Sequence, residues 1–134
     1  MDKVLKLLKE NCVMNLATSS GDKPRSSIME YVMAGNDMIF ATNPETIKAK
    51  NLAKNPKLSL TVGGMPIYVA IDGTVTEPGQ KEIEAYKKGL FGRHPEFEGL
   101  INSGVVKFKY YKVVFETAYY TEGMGPAQII KAGK

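Results

Sequence analysis

The sequence predicts a mainly β (α+β) fold, a six-stranded antiparallel β-barrel with accessory helices, and three observations predict it. Six strand-like runs are punctuated by Gly-, Asn- or Pro-containing turn signals. A single helical pattern stands between the third and fourth runs, so helices do not alternate with strands as in a doubly wound sheet. Finally, 134 residues with 43% hydrophobic content suit one domain that buries about two-thirds of its unfolded surface.

The elements follow in order. An opening helix covers about Asp2 to Glu10, with Val4, Leu5, Leu7 and Leu8 as its apolar stripe. Strands are expected at Cys12–Thr18, Arg25–Met33 and Met38–Thr42, the last two joined by the turn Ala34-Gly35-Asn36-Asp37. A helix then begins at Pro44, with Asn43 as its cap and Ala49, Leu52 and Ala53 as a narrow buried stripe, and stops at Asn55-Pro56. Strands at Leu58–Val62 and Pro66–Thr76 flank Gly63-Gly64. Gly79–Gly89 reads as a helix with Ile83, Tyr86 and Lys87 on one side. A helical turn near Pro95–Ile101 precedes a last long strand or bent hairpin, Val105–Tyr120. The domain is expected to span residues 1–122. Residues 123–134 form a tail on the joint Gly123-Met124-Gly125-Pro126, whose Ala127–Ile130 either folds back or reaches a partner subunit.

The stretch Phe40 to Pro56 carries the functional signal. A helix start has unsatisfied N–H groups and the positive end of a macrodipole, which together favour an anion. Thr46 and Lys48 add a hydroxyl and an ammonium there. A turn centred on Gly35-Asn36 sets Met33 opposite Met38 and, extended, Arg25 opposite Thr46, bringing a guanidinium to the same place. The competing reading is an ordinary cap with solvated cations around it.

In this order and spacing, Arg25, Phe40-Ala41-Thr42-Asn43, Thr46-Ile47-Lys48 and Leu52-Ala53-Lys54-Asn55-Pro56 resemble pyridoxamine 5'-phosphate oxidase and its FMN-binding split-barrel relatives. Asn15 to Ser27 resembles that family's opening hairpin, and the match covers about residues 10 to 75. The resemblance implies a split barrel binding FMN, commonly a homodimer with the flavin near the subunit interface. It implies that Arg25 and Lys48, with Thr46, hold the phosphate. The segment Arg25, Ser26, Ser27, Ile28, Met29, Glu30 and the residues Ala41, Thr42 and Asn43 would add contacts to the phosphate, ribityl chain and ring, with Tyr68 at a flavin-contacting position.

The departures from the oxidase matter equally. Glu30 stands where the oxidase has a basic residue used toward substrate, and Ile47 where it has Arg. Tyr68 replaces Gln, and the C-terminal Trp- and Arg-containing segment has no counterpart, since the chain contains no Trp. The expectation is therefore an FMN-dependent oxidoreductase related to that enzyme but distinct from it. The alternatives are a non-catalytic flavin or electron carrier, or a variant using a deazaflavin or haem.

Composition bounds the remaining classes. The net charge of +4 opens a reading as a small basic nucleic-acid-binding barrel, with Tyr110-Tyr111 and Tyr119-Tyr120 as stacking platforms. Against it, the lysines are dispersed and only Arg25 and Arg93 are arginines. No apolar run approaches the ~20 residues of a membrane span, and Met1-Asp2-Lys3 leads into an amphipathic pattern, so a cytoplasmic protein with no membrane partner is expected. Cys12 is the sole cysteine and is expected to be a small buried strand residue. His94 is the sole histidine and is expected to be a surface loop residue, with a weaker role touching substrate or haem. One Cys and one His supply no zinc site.

Overall fold

The computed structural model describes residues 1–132; Gly133 and Lys134, the end of the predicted tail, lie outside it. Eight strands and four helices follow in the order α1 (Asp2–Glu10), β1 (Val13–Ser20), β2 (Lys23–Glu30), β3 (Val32–Ala34), β4 (Asp37–Thr42), α2 (Ile47–Lys54), β5 (Lys57–Gly64), β6 (Ile67–Thr76), α3 (Gln80–Arg93), α4 (Phe97–Asn102), β7 (Lys109–Glu122) and β8 (Gln128–Lys131). All pairings are antiparallel and the sheet order is β2-β1-β5-β6-β7-β4-β3, with β8 also paired to β7. The two ends of that order, β2 and β3, are separated in the chain only by Tyr31. The sheet must therefore curl back on itself, which gives the expected split barrel.

Six expected strands become eight for two reasons. The run Arg25–Met33 breaks at Tyr31, whose side chain is fully buried, whose N–H donates to the Cys12 carbonyl and whose hydroxyl donates to the Leu8 carbonyl at 2.7 Å. The chain bends around that anchor, so β2 pairs with β1 while β3 pairs with β4. The second reason is the tail, which folds back: Gln128 to Lys131 pair with Tyr120 to Thr117.

The register predicted across the Gly35 turn is present, with Met33 opposite Met38 and Val32 opposite Ile39. Its extension fails, because Arg25 lies opposite Thr18 on β1 instead of Thr46.

Alternation builds the core. Met14, Leu16, Leu58, Leu60, Val62, Val69 and Ile71 point inward from β1, β5 and β6, and Val4 and Leu8 of α1 close over them. Phe40 and Tyr111 stack inside at 4.9 Å between ring centroids. A second cluster lies outside the barrel, where Tyr86 and Leu90 of α3 cover Val32, Ile39 and Ala41. This explains why α3 runs through Gly89 to Arg93 rather than stopping at Gly89. A Cβ on Gly89 would lie 2.8 Å from Val32 Cγ1, so glycine is what lets the helix sit down on β3. Cys12 is half-buried just before β1. Among the described residues no helix is long and apolar enough to cross a membrane.

Candidate functional site

The helix carrying the anion signal starts later than expected. Asn43 Oδ1 accepts from the Glu45 N–H at 2.8 Å, and the Thr46 N–H donates to the Asn43 carbonyl, so Asn43-Pro44-Glu45 closes a turn. Thr46 is the true N-cap, its Oγ1 accepting from the Ala49 N–H at 3.4 Å. That oxygen donates to the Asn43 carbonyl and meets the buried Thr42 hydroxyl at 3.2 Å. Only Ala49 and Leu52 of the predicted stripe are buried; Ala53 faces water.

Although the pairing that predicted it is wrong, Arg25 does reach the start of α2. One cleft of about 370 Å³ is lined by Arg25, Ser26, Ser27, Glu45, Thr46, Ile47 and Lys48. The curl of the barrel brings β2 to the helix from the β1 side. Side-chain bonds from α2 to β1 hold the wall in place: Asn51 Nδ2 donates to Thr18 Oγ1 at 3.1 Å, and Asn55 Nδ2 to Ser19. Arg25 and Lys48 have no ion-pair partner among the described residues, and Lys48 is half-buried. Glu45 is the one carboxylate on the cleft and reaches out toward Lys50 at 4.0 Å. Two cations without an ion-pair partner among the described residues, beside the Ser27 hydroxyl and a helix start, form a donor set that fits a phosphate group.

Other predicted site residues do not line that cleft. Pairing opposite buried Thr18, Leu16 and Met14 puts Arg25, Ser27 and Met29 on one face of β2, and Ser26, Ile28 and Glu30 on the other. Ile28 is 73% exposed. Ala41 is buried beneath α3 and Thr42 behind the Thr46 hydroxyl, while Asn43 is spent on the turn. Tyr68 lies opposite Gly63 and Thr121 on β6, three strands from β2.

The sequence reading missed a polar cluster at the far end of β2. Both carboxylate oxygens of Glu30 contact His94 Nε2, at 2.8 and 3.0 Å, and Arg93 Nη1 donates to the Tyr31 carbonyl at 2.8 Å while lying 3.9 Å from Glu30. His94 caps α3, stacks on Phe97 at 5.0 Å and has Glu96 3.9 Å from Nδ1. It is therefore a tethered cap and not a free loop residue. Separations of sixty-odd residues hide such contacts from any local pattern. Nearby, burial first, then Tyr110 and Glu30, push the Tyr86 phenol up to about 12.

The family model for pyridoxamine 5'-phosphate oxidase matches residues 1–120. No curated protein matches the chain. Among solved structures, the fold resembles a heme binding protein from Mycobacterium smegmatis, with a TM-score of 0.76 at 15% identity, over 96% of this chain and 56% of that one. It resembles a putative pyridoxamine 5'-phosphate oxidase from Listeria innocua, with a TM-score of 0.67 at 20% identity, over 89% and 95% of the two chains. A FAD-binding protein from Mesorhizobium loti gives a TM-score of 0.67 at 18% identity, over 84% and 85%. With a family model covering most of its length and the split-barrel architecture in place, the chain belongs to the pyridoxamine 5'-phosphate oxidase family.

Proposed function

We propose that the protein binds FMN, with the phosphate between β2 and α2, and that it acts as a flavin-dependent oxidoreductase. One observation carries the reading: the cleft gathers Arg25 and Lys48, both without an ion-pair partner among the described residues, beside Ser26, Ser27 and the start of α2. Family membership and the FAD-binding neighbour support it. When bound, the flavin supplies hydride or electron transfer. The chain holds and orients it: the planar Arg25 fork takes two phosphate oxygens, Lys48 adds a point charge, and the Ser27 hydroxyl, on the same face of β2 as Arg25, donates. Glu45 lines the same cleft, and Lys50, 4.0 Å away, offsets part of its charge.

The substrate side differs from that of the oxidase. Glu30 stands where that enzyme has a basic residue and is tied to His94 and Arg93, so it offers a phosphorylated substrate no positive charge of its own. A nucleic-acid platform gains no support, because Tyr111 and Tyr120 are buried and Tyr110 packs edge-on to Tyr86 at 5.8 Å.

The test is an absorbance spectrum and cofactor mass of natively purified protein. A flavin spectrum with the mass of FMN is expected, and reduction by NADH or NADPH separates enzyme from carrier. A colourless protein that takes up no flavin on titration rejects the proposal.

A further inference from the structure

The polar cluster at the far end of β2 has the parts of a proton-transfer site. Both Glu30 oxygens meet His94 Nε2, so that nitrogen carries a proton and donates it to the carboxylate. Nδ1 makes no hydrogen bond among the described residues, and Glu96, the other carboxylate facing the ring, stands 3.9 Å from it. Phe97 stacks on the imidazole at 5.0 Å, and the side chain is still 32% exposed. The ring is thus held by one edge and one face while Nδ1 stays open. Capping α3 does not require it, because the His94 backbone N–H already donates to the Leu90 carbonyl at 2.8 Å. A carboxylate that fixes one imidazole nitrogen so that the other can exchange a proton makes a general acid or base.

We infer that His94 delivers the proton in the protein's redox reaction, that Glu30 is its positioning residue, and that the acceptor is an uncharged conjugated molecule of the quinone class. The inference rests on the flavin reading above and extends it to the substrate side. Glu30 is five residues beyond Arg25, about 16 Å at ordinary strand rise, so the phosphate anchor and the imidazole stand at the two ends of one strand. Charge selects the acceptor. The groups around the imidazole are Glu30, Glu96, Arg93 and Tyr86, and the Arg93 guanidinium is engaged by the Tyr31 carbonyl and Glu30, which leaves no free cation for an anionic substrate. The Tyr86 phenol, pushed up to about 12 by burial first, is neutral at working pH. Phe97 and, one turn along α4, Leu100 are 37% and 48% exposed and offer a flat apolar acceptor a surface. In the step, the quinone gains a hydride from the reduced flavin and a proton from Nδ1 of the imidazolium, giving the hydroquinone. The neutral imidazole left behind takes a proton back from water.

The test uses the full chain loaded with FMN, with menadione as the acceptor. His94 is the sole histidine, so its imidazole resonances are unambiguous by NMR. While the flavin is oxidised menadione does not react, and it is expected to shift those resonances saturably. After anaerobic reduction with dithionite, reoxidation by menadione is expected to slow about 100-fold in His94→Gln, with FMN affinity unchanged, and about tenfold in Glu30→Gln. The wild-type rate should fall as pH rises, that of His94→Gln should not, and in Glu30→Gln the fall should come at lower pH, a change that a merely structural contact would not produce. An imidazole signal unmoved by menadione, or an unchanged reoxidation rate in His94→Gln, would overturn the proton-donor inference while FMN binding keeps the flavin reading in place. A chain that binds no FMN would reject both.

Discussion

Arg25 and Lys48 illustrate what single residues disclose. Both were legible as anion ligands from their type and spacing, and both line one cleft. Yet the route to Arg25 was wrong: it arrives through β1 pairing and the curl of the sheet, not as the partner of Thr46. Asn43 misled because a good cap and a good turn former are the same residue. Asn43 Oδ1 serves Glu45, and the capping oxygen comes from Thr46. Replacing either cation removes a charge-assisted contact. Arg25→Ala and Lys48→Ala are each expected to weaken flavin binding by about 1.5–3 kcal/mol, measured by calorimetry. The thermal midpoint of the apo-protein should hardly move, since neither side chain makes an ion pair among the described residues.

At the scale of elements, helices and most strands were legible because periodicity and turn residues act locally. The break at Tyr31 was not, since it arises from one side chain reaching Leu8 across the core. The end of α3 was missed for the opposite reason: Gly89 reads as a stop, but here it is a contact point against Val32. Gly89→Ala should gain helix propensity and still lower the thermal midpoint, because its methyl meets Val32 at 2.8 Å and overpacking costs about 1–3 kcal/mol.

The other end of α3 has its own signature. Glu82 accepts from Lys112 Nζ at 2.8 Å and from the Gly79 N–H, and these bonds, the lysine's first, hold its carboxyl below the usual carboxylate range. The folded state thus keeps the charge in acid where the unfolded chain takes up a proton. The stability it lends is present above the ordinary carboxylate pKa and is lost as pH falls toward the depressed value. Comparing thermal midpoints of wild type and Glu82→Gln, the gap should be largest near neutral pH and narrow as pH falls below about 4.3, the ordinary glutamate value, toward the depressed one.

The whole molecule was legible as a barrel because the elements do not alternate, and family membership was legible because four motif pieces keep their order. The strand count was not legible, and neither was the fate of the tail, because a four-residue strand carries little pattern. The homodimer expected from the resemblance is a proposal that the surface makes testable. β2 is an edge strand with Ile28 on its outward face at 73% exposure, next to Val13 and Asn15 of β1. We propose that a second copy covers it. Light scattering should show a dimer for the wild type and a shift toward monomer for Ile28→Lys, whereas a wild-type monomer would refute the proposal.

The central claim is that the cleft between β2 and α2 holds the flavin's phosphate, and the most direct measurement compares FMN with riboflavin, which lacks that phosphate. Calorimetry on the apo-protein should give FMN the tighter binding by about tenfold or more, with the difference collapsing in Arg25→Ala and in Lys48→Ala. Equal affinity for the two flavins, or an FMN advantage that survives both substitutions, would contradict the account.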